Sequence, residues 1–287
     1  MSFEIKYGIQ GSYMDITAEV LNTCVIDNQI YIPSGDAIRA HLFGDPLPGI
    51  LKHIHINDNG NNKIYLDSQE IELPIPKLTP EIELSYLHQT LNFVGGNIKD
   101  EYPEQLMSMI YIKPKDKVLE IGSNLGRNTL IISSLLEDSS QLVTLECNPQ
   151  TYKMLMLNRN MNRFHFRAES KALSARPLIL SGWNTEPGDL KPGYVKVDTI
   201  TFQELVDKYG QFDTLVVDCE GALYYILQDC PELLTHINKV IMENDYNVLM
   251  HKLFIDDLLI KYEFKRDYVQ GGGWGPCANF FYEVWIK

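Results

Sequence analysis

The chain lacks the long apolar runs and the cysteine spacings that mark several classes of protein. None of its apolar runs reaches the roughly 18 residues of a membrane span. Its beginning, MSFEIKYGIQ, lacks the basic and then apolar pattern of a secretion signal. Its five cysteines are scattered, odd in number and without C-x-x-C spacing, which argues against a zinc site or a disulfide framework. We therefore expect a cytoplasmic protein of a reducing compartment without a membrane span.

Positive charge is also scarce. The sequence has 25 Lys and Arg against 38 Asp and Glu, which gives a formal net charge of −13. Because nucleic-acid binding needs surplus basic side chains near the phosphates, we expect no nucleic-acid partner. The composition is otherwise globular, with 45% hydrophobic and 22% charged residues, and 287 residues suit one large domain or two of ordinary size.

Residues 1–76 are predicted to form a small antiparallel β module for binding or oligomerisation. Short alternating runs at 52–56 and 63–66 flank the turn-forming stretch 58–62 (DNGNN), a pattern typical of a β-hairpin. The proline-punctuated stretch 73–80 (LPIPKLTP) is the expected linker. Residues 77–287 then form a second domain, in which we interpret 81–112 as a helical lid.

One stretch of this second domain, residues 118–128 (VLEIGSNLGRN), predicts a ligand-binding loop. A short apolar strand is followed by two glycines and then by an apolar run typical of a helix. Such a loop leaves its backbone open to a ligand above the strand. The pattern E-x-G-x-x-x-G is neither a dinucleotide fingerprint nor a phosphate loop, whereas the acid at Glu120 suits an ammonium group. A generic strand, turn and helix of another α/β protein is the alternative.

Acids also end three later predicted strands. Glu146 follows Glu120 by about 26 residues, near the spacing of a carboxylate that accepts both ribose hydroxyls. Asp218 ends a continuous apolar run, as the centre of a parallel sheet requires, and Glu243 ends the next strand. Their side chains should converge, and converging oxygen ligands suit Mg²⁺. Alternatively, Asp218 and Glu220 contact a cofactor or act as a base, and Glu243 only caps a turn.

Taken in order, these motifs resemble those of class I S-adenosylmethionine-dependent methyltransferases. The turn D-x-E-G-A at 218–222 is similar to that of the FkbM-type branch, although Val216 and Leu223 replace the lysine and the acid common there. The resemblance covers about residues 80–287. It implies an α/β fold with a Rossmann-like sheet of seven strands, the last antiparallel. It also implies O-methylation of a sugar or glycan hydroxyl, in the host cytoplasm if the chain is viral.

The resemblance further implies which residues form the site. The base would be Asp218, acting alone or through a Mg²⁺ ion that it shares with Glu243 and Asn244. Glu220 and His251 are the alternative candidates for the base. The glycine-rich stretch 269–277 carries Trp274, whose indole face suits a sugar ring, so Trp274 and Glu220 are the expected acceptor contacts. The expected contacts of S-adenosyl-L-methionine are Gln105, Glu120, Gly122, Ser123, Asn124, Gly126, Asn128, Glu146, Cys147, Ser170 and Asp218.

Two other functions stay open. One is an N-methyltransferase of a small molecule or a protein, against which the missing [ND]-P-P-[YF] motif and the acidity argue. The other is a glycan-binding or structural protein with a degenerate methyltransferase domain, against which the intact Glu120, Gly122, Gly126 and Glu146 argue. A homo-oligomer formed through the N-terminal module is a further expectation.

Overall fold

The chain folds as two compact units, Met1–Leu91 and Asn92–Lys287. A computed structural model describes residues 3–27, 29–75 and 78–287. The predicted domain boundary at residues 76 and 77 lies outside the described residues. The helix Pro80–Thr90 falls in the first unit, so the segment 81–112, predicted as one lid, is divided between the two units.

Within the described residues, the first unit combines two small antiparallel sheets with three helices. The sheets have the strand orders β2-β1-β5-β6 and β3-β4-β7. The predicted hairpin is confirmed as β5 and β6, in which Asp58 pairs with Asn61. Two of the helices, Thr17–Thr23 and Asp36–Phe43, were not predicted, because runs of 7 and 8 residues show too little of the helical period. The elements are β1 (Phe3–Ile9), β2 (Ser12–Asp15), α1 (Thr17–Thr23), β3 (Val25–Ile26), β4 (Gln29–Ile32), α2 (Asp36–Phe43), β5 (His53–Asp58), β6 (Asn61–Tyr65), β7 (Ile71–Pro74) and α3 (Pro80–Thr90).

A buried lysine lies beside the core of the first unit. Lys52 is fully buried, and its Nζ lies 3.0 Å from Asp36 Oδ2 and 2.8 Å from Asp45 Oδ1. It also donates to the main-chain oxygen of Ile50 at 2.7 Å, and the Tyr7 hydroxyl donates to Asp36. Because the buried ammonium group has both charged and main-chain partners, its burial is tolerated.

The second unit is built on a seven-stranded sheet in the order β10-β9-β8-β16-β17-β19-β18. The neighbouring pairs from β10 to β17 are parallel, whereas β19 is antiparallel to both of its neighbours. This confirms the predicted fold class, an α/β fold with a seven-stranded Rossmann-like sheet whose last strand is antiparallel. The elements are α4 (Tyr102–Tyr111), β8 (Val118–Ile121), α5 (Arg127–Leu135), β9 (Leu142–Leu145), α6 (Pro149–Met161), β10 (Arg167–Glu169), β11 (Ala172–Leu173), β12 (Leu178–Ser181), β13 (Asn184–Pro187), β14 (Val195–Val197), β15 (Thr199–Ile200), α7 (Phe202–Tyr209), β16 (Thr214–Val217), α8 (Leu223–Asp229), β17 (Lys239–Glu243), α9 (Leu249–Lys261), β18 (Lys265–Gln270) and β19 (Tyr282–Ile286), with 3-10 turns at Ile98–Glu101, Ser139–Gln141, Pro231–Thr235 and Gly275–Phe280.

The central strands β8, β9 and β16 are buried at every residue, as a parallel sheet covered on both faces requires. Two of the helices between them, α6 and α7, begin at side-chain caps. Asn148 accepts from the N–H groups of Gln150 and Thr151 at the start of α6. Thr201 and Glu204 form a capping box at the start of α7. No helix within the described part of the chain has the length and apolar character needed to cross a bilayer.

An insertion between β10 and α7 departs from the prediction. Strands β12, β13 and β14 form a separate antiparallel sheet in the order β13-β12-β14, and β11 pairs with β15. These strands have only two to four residues, which is too short for the alternation that identifies a strand in a sequence.

Candidate active site

The loop from β8 to α5 is fixed by two glycines. Gly122 has a φ of 89°, and a Cβ there would lie 1.6 Å from the main-chain oxygen of Asp218. Gly126 has a φ of 94°, and its Cβ would meet a methyl group of Leu155 at 2.7 Å. The N–H groups of Gly122 and Ser123 donate to Leu145 O at 3.1 and 3.2 Å. Side chains at either glycine would therefore displace the loop from the sheet edge.

A cleft with about 110 Å³ accessible to the centre of a water molecule opens beside this loop, at the carboxyl ends of β8, β9 and β16. Glu146, at the end of β9, lies in its wall and is largely buried, and its Oε1 accepts from the N–H of Asn148 at 2.7 Å. Burial raises the pKa of Glu146. The cleft brings together six residues predicted for the site, namely Gly122, Asn124, Glu146, Cys147, Asp218 and Glu220.

A small cavity, with about 10 Å³ accessible to the centre of a water molecule, shares Gly122 and Asp218 with the cleft. Glu120 lines this cavity and not the cleft, together with the predicted Ser123 and Asn128. Two threonine hydroxyls, Thr129 Oγ1 and Thr144 Oγ1, donate to Glu120 Oε2 at 2.7 and 2.6 Å. Burial raises the pKa of Glu120 to about 7, although both hydrogen bonds favour the charged form.

Three carboxyl groups meet at the junction of β16, β17 and α4. Oxygen atoms of Glu104, Asp218 and Glu243 lie within 4.8 Å of one another. Burial raises the pKa of Glu243 to about 11, helped by a hydrogen bond with Glu104 and by the charge of Asp218. Burial also raises the pKa of Asp218 well above its ordinary value. Within the described residues, Glu104 Oε2 is buried without a hydrogen-bond partner, so this acid group suits a small cation with oxygen ligands.

The third predicted metal ligand, Asn244, is fully buried. Its Nδ2 donates to the main-chain oxygen of Phe280 at 2.7 Å, which ties it to the chain that enters β19. Its Oδ1 has no partner among the described residues. The third carboxylate beside Asp218 and Glu243 is instead Glu104, which the sequence interpretation missed.

The turn after β16 has an unusual backbone. Glu220 has a φ of 52° and Gly221 a φ of 78°, so two successive residues are left-handed. Asp245 Oδ1 accepts from the N–H of Gly221 at 2.7 Å and holds the turn in place. The turn leaves Glu220 exposed in the wall of the cleft. A left-handed residue with a side chain costs about 1 kcal/mol and is often found at functional sites.

Seven predicted residues lie outside the lining of both cavities: Gly126, Glu243 and Asn244, described above, and Gln105, Ser170, His251 and Trp274. Gln105 is fully buried, and its amide donates to the main-chain oxygens of Ile98 and Arg127 at 2.8 and 3.2 Å. Gln105 thus links Ile98 to Arg127 at the start of α5, and its contact with the cofactor stays a prediction. Ser170 is half-buried, and His251 stacks on Tyr224 with ring centroids 3.7 Å apart. Trp274 is 65% exposed, and its ring centroid lies 6.0 Å from that of Phe281.

Three residues of the site were not predicted. Glu104 lies one residue before Gln105, in a stretch interpreted as an ordinary helix start, although a second acid so close to Glu101 was a usable signal. Lys171 and Trp183 line the cleft from the insertion after β10. Gly182 beside Trp183 indicated a turn, but nothing in the sequence placed that turn at the cleft.

Comparisons with known proteins add a likeness of fold. The sequence matches no protein-family model and, at a significant level, no curated protein. A ribosomal protein L11 methylase from Lactobacillus delbrueckii subsp. bulgaricus is 14% identical, with 68% of this chain and 81% of that chain covered and a TM-score of 0.45. An O-methyltransferase from Bacillus cereus in complex with SAH is 14% identical, covers 74% and 93%, and has a TM-score of 0.43. A precorrin-6y C5,15-methyltransferase from Geobacter metallireducens is 12% identical, covers 69% and 96%, and has a TM-score of 0.43. A likeness of this size leaves the substrate open.

Proposed function

We propose that the chain is an S-adenosylmethionine-dependent methyltransferase. One observation carries the proposal. Glu146 lies on one side of the glycine loop, and the acid group formed by Glu104, Asp218 and Glu243 lies on the other side, at the same edge of the sheet. Glu146 suits a ribose diol, because a carboxylate can accept from both hydroxyls. The acid group suits positive charge, and the proposed ligand carries a sulfonium and an ammonium group.

The charge balance of the two cavities supports a cationic ligand. Their lining contains six carboxyl groups against one lysine, Lys171. Arg127, which lies next to the smaller cavity, forms an ion pair with Glu101 at 3.0 Å and leaves the other acids uncompensated. A ligand with phosphate groups would be repelled by such a lining, whereas a cation is attracted and lowers the raised pKa values of the acids.

We further propose that the acceptor is a sugar or glycan hydroxyl and that the product is an O-methyl group. The left-handed turn that exposes Glu220 at the cleft carries the D-x-E-G-A pattern of the FkbM-type branch. Carboxylates such as Glu220 readily accept hydrogen bonds from sugar hydroxyls. Trp274 remains a candidate platform for the sugar ring because its indole is exposed.

The reaction needs orientation and the removal of one proton. Bound S-adenosylmethionine supplies a methyl group on a sulfonium, so that the S–CH₃ bond breaks as the O–CH₃ bond forms in line. Glu146 and the glycine loop would orient the ligand, which contributes by fixing the reacting geometry. Asp218 would take the acceptor proton, a task for which a raised pKa is favourable. Glu104, Asp218 and Glu243 would also hold Mg²⁺, which would supply a Lewis acid for the acceptor oxygen.

Calorimetric titration with S-adenosylmethionine and S-adenosylhomocysteine tests the cofactor. We expect binding by the wild type and a loss of about 100-fold or more in Glu146→Ala, because both ribose hydroxyls lose their charged acceptor. The matched control is Glu137→Ala, an exposed acid outside both cavities, which should bind like the wild type. If neither ligand gives a heat of binding to the wild type, the proposal that the chain is an S-adenosylmethionine-dependent methyltransferase is refuted.

Transfer of labelled methyl groups to sugar acceptors tests the acceptor and the metal. We expect incorporation into a hydroxyl, stimulation by Mg²⁺, and loss of that stimulation in Glu104→Gln, which removes one charged ligand. Full activity after chelation of the metal would show that the reaction does not need Mg²⁺, and Asp218 alone would then be the proposed base. Incorporation into amines alone would favour the N-methyltransferase.

A further inference from the structure

The hairpin that joins β12 to β13 carries a tryptophan at the edge of the cleft. Ser181 pairs with Asn184, so the turn consists of Gly182 and Trp183 alone. Gly182 has a φ of 62°, which a two-residue hairpin turn with glycine first requires. The indole of Trp183 is 63% exposed and lines the cleft together with Glu146.

An apolar cluster holds this hairpin against the wall of the cleft. Leu178 and Leu180 alternate onto one face of β12, and both also line the cleft. Cys147 follows Glu146 directly, so the packing of Cys147 on the cluster fixes the distance between the hairpin and Glu146. The members of the cluster are Leu178, Leu180 and Val197, with Cys147 and Ala172 packed against them.

The position of the hairpin along the sheet edge identifies the part of a ligand that it meets. The acid group lies at the ends of β16 and β17, and Glu146 lies at the end of β9, beyond β8. The hairpin packs farther along the same edge, on Ala172, which follows β10. A nucleoside whose ribose binds Glu146 and whose cation faces the acid group therefore directs its base towards the hairpin.

We propose that Trp183 forms an aromatic wall that stacks on the purine base of the bound nucleoside, an inference that rests on the proposed function. The surroundings suit a base because Leu173, Leu178 and Leu180 provide an apolar floor beside the indole. Stacking of a base on an aromatic side chain contributes on the order of 1 to 3 kcal/mol. Loss of the indole should then weaken binding about 10-fold.

Titration with S-adenosylhomocysteine in matched variants tests this role. We expect about 10-fold weaker binding by Trp183→Ala and affinity within roughly threefold of the wild type for Trp183→Phe, which retains an aromatic face. Leu190→Ala, in the same inserted segment, is the matched control, because its side chain is exposed to a similar degree, 66% against 63%, but lies outside the lining of the cleft. Since both side chains are exposed, neither truncation opens a cavity in the core.

The outcomes separate this inference from the proposed function. Absence of binding by the wild type overturns both. Binding by the wild type with equal affinity in Trp183→Ala overturns the role of Trp183 alone. The fragment 5′-methylthioadenosine, which keeps the base but lacks the amino-acid end, should show the same ratio between the wild type and Trp183→Ala. A ratio near one for this fragment would assign the contact to another part of the ligand and overturn the stacking.

Discussion

The replacement Glu120→Gln should change how the stability of the second unit depends on pH. Glu120 is 2% exposed, and burial raises the pKa of its carboxyl group from 4.5 to about 7. Below about pH 4.5 the group is protonated in both the folded and the unfolded chain, so it contributes no difference. As the pH rises from about 4.5 to about 7, the unfolded chain releases this proton, whereas the folded chain keeps it because release would leave a buried charge. The folded state is therefore destabilised progressively over this pH range.

The difference of about 2.5 pKa units corresponds to roughly 3 kcal/mol at about 1.4 kcal/mol per unit. Glutamine has nearly the same shape, can accept from Thr129 and Thr144, and carries no charge. The free energy of unfolding of the variant, measured with urea, should therefore rise by about 3 kcal/mol relative to the wild type between about pH 5 and 8. Glu137→Gln, an exposed acid, should show no such change. Parallel pH curves for the wild type and Glu120→Gln would refute the reasoning.

Two further predictions concern stability. Gly122→Ala should destabilise the chain by several kcal/mol in urea, on the order of 4, because the new methyl group would lie 1.6 Å from the Asp218 main-chain oxygen. Gly210→Ala, with a similar φ of 86° and open space around it, should cost only about 1 kcal/mol, and equal losses in the two variants would contradict this account. Lys52→Met should destabilise the first unit by about 2 kcal/mol in the same assay, because Asp36 and Asp45 lose their shared cation and the main-chain oxygen of Ile50 loses its charged donor. Lys115→Met, at an exposed position, is its control, and an unchanged urea midpoint for Lys52→Met would show that the ion cluster is dispensable.

The parts of the fold and site that the sequence predicted are those encoded locally. The strand, the glycine loop and the helix follow one another without a break from Val118 to Leu135, so their pattern can be recognised within one short stretch of the sequence. Glu146 was found by its spacing, because a parallel sheet places consecutive strand ends at one edge. The same rule predicted that Asp218 and Glu243 converge, and their oxygen atoms do lie within 4.8 Å of each other.

The parts that escaped prediction depend on tertiary packing. Glu104 joins the acid group because α4 packs on the end of β17, and the spacing of residues in the sequence does not predict this contact. Gln105, the next residue, is fully buried and donates to the main-chain oxygen of Ile98, a contact that its place in the sequence did not indicate. Trp183 lies at the cleft because of an inserted sheet, whose strands are too short to show the alternation of apolar and polar residues that identifies a strand.

The acid group also predicts a difference between two closely related ligands. Without a cation, burial and mutual repulsion raise the pKa of Glu243 to about 11, so that Glu243 holds a proton at neutral pH, and they raise the pKa of Asp218 well above its ordinary value. A cation placed beside them favours their charged forms and expels protons. S-adenosylmethionine carries a sulfonium that S-adenosylhomocysteine lacks. We therefore expect binding of the former to release more protons.

The number of protons released follows from calorimetry at one pH in two buffers of different ionisation enthalpy. The difference between the ligands should shrink in Glu243→Gln, because one of the groups that can release a proton is then gone. Equal release by the two ligands in the wild type would mean that the sulfonium does not face the acid group. The methyl group would then lie away from Asp218, and the base would have to be sought at Glu220 or elsewhere along the cleft.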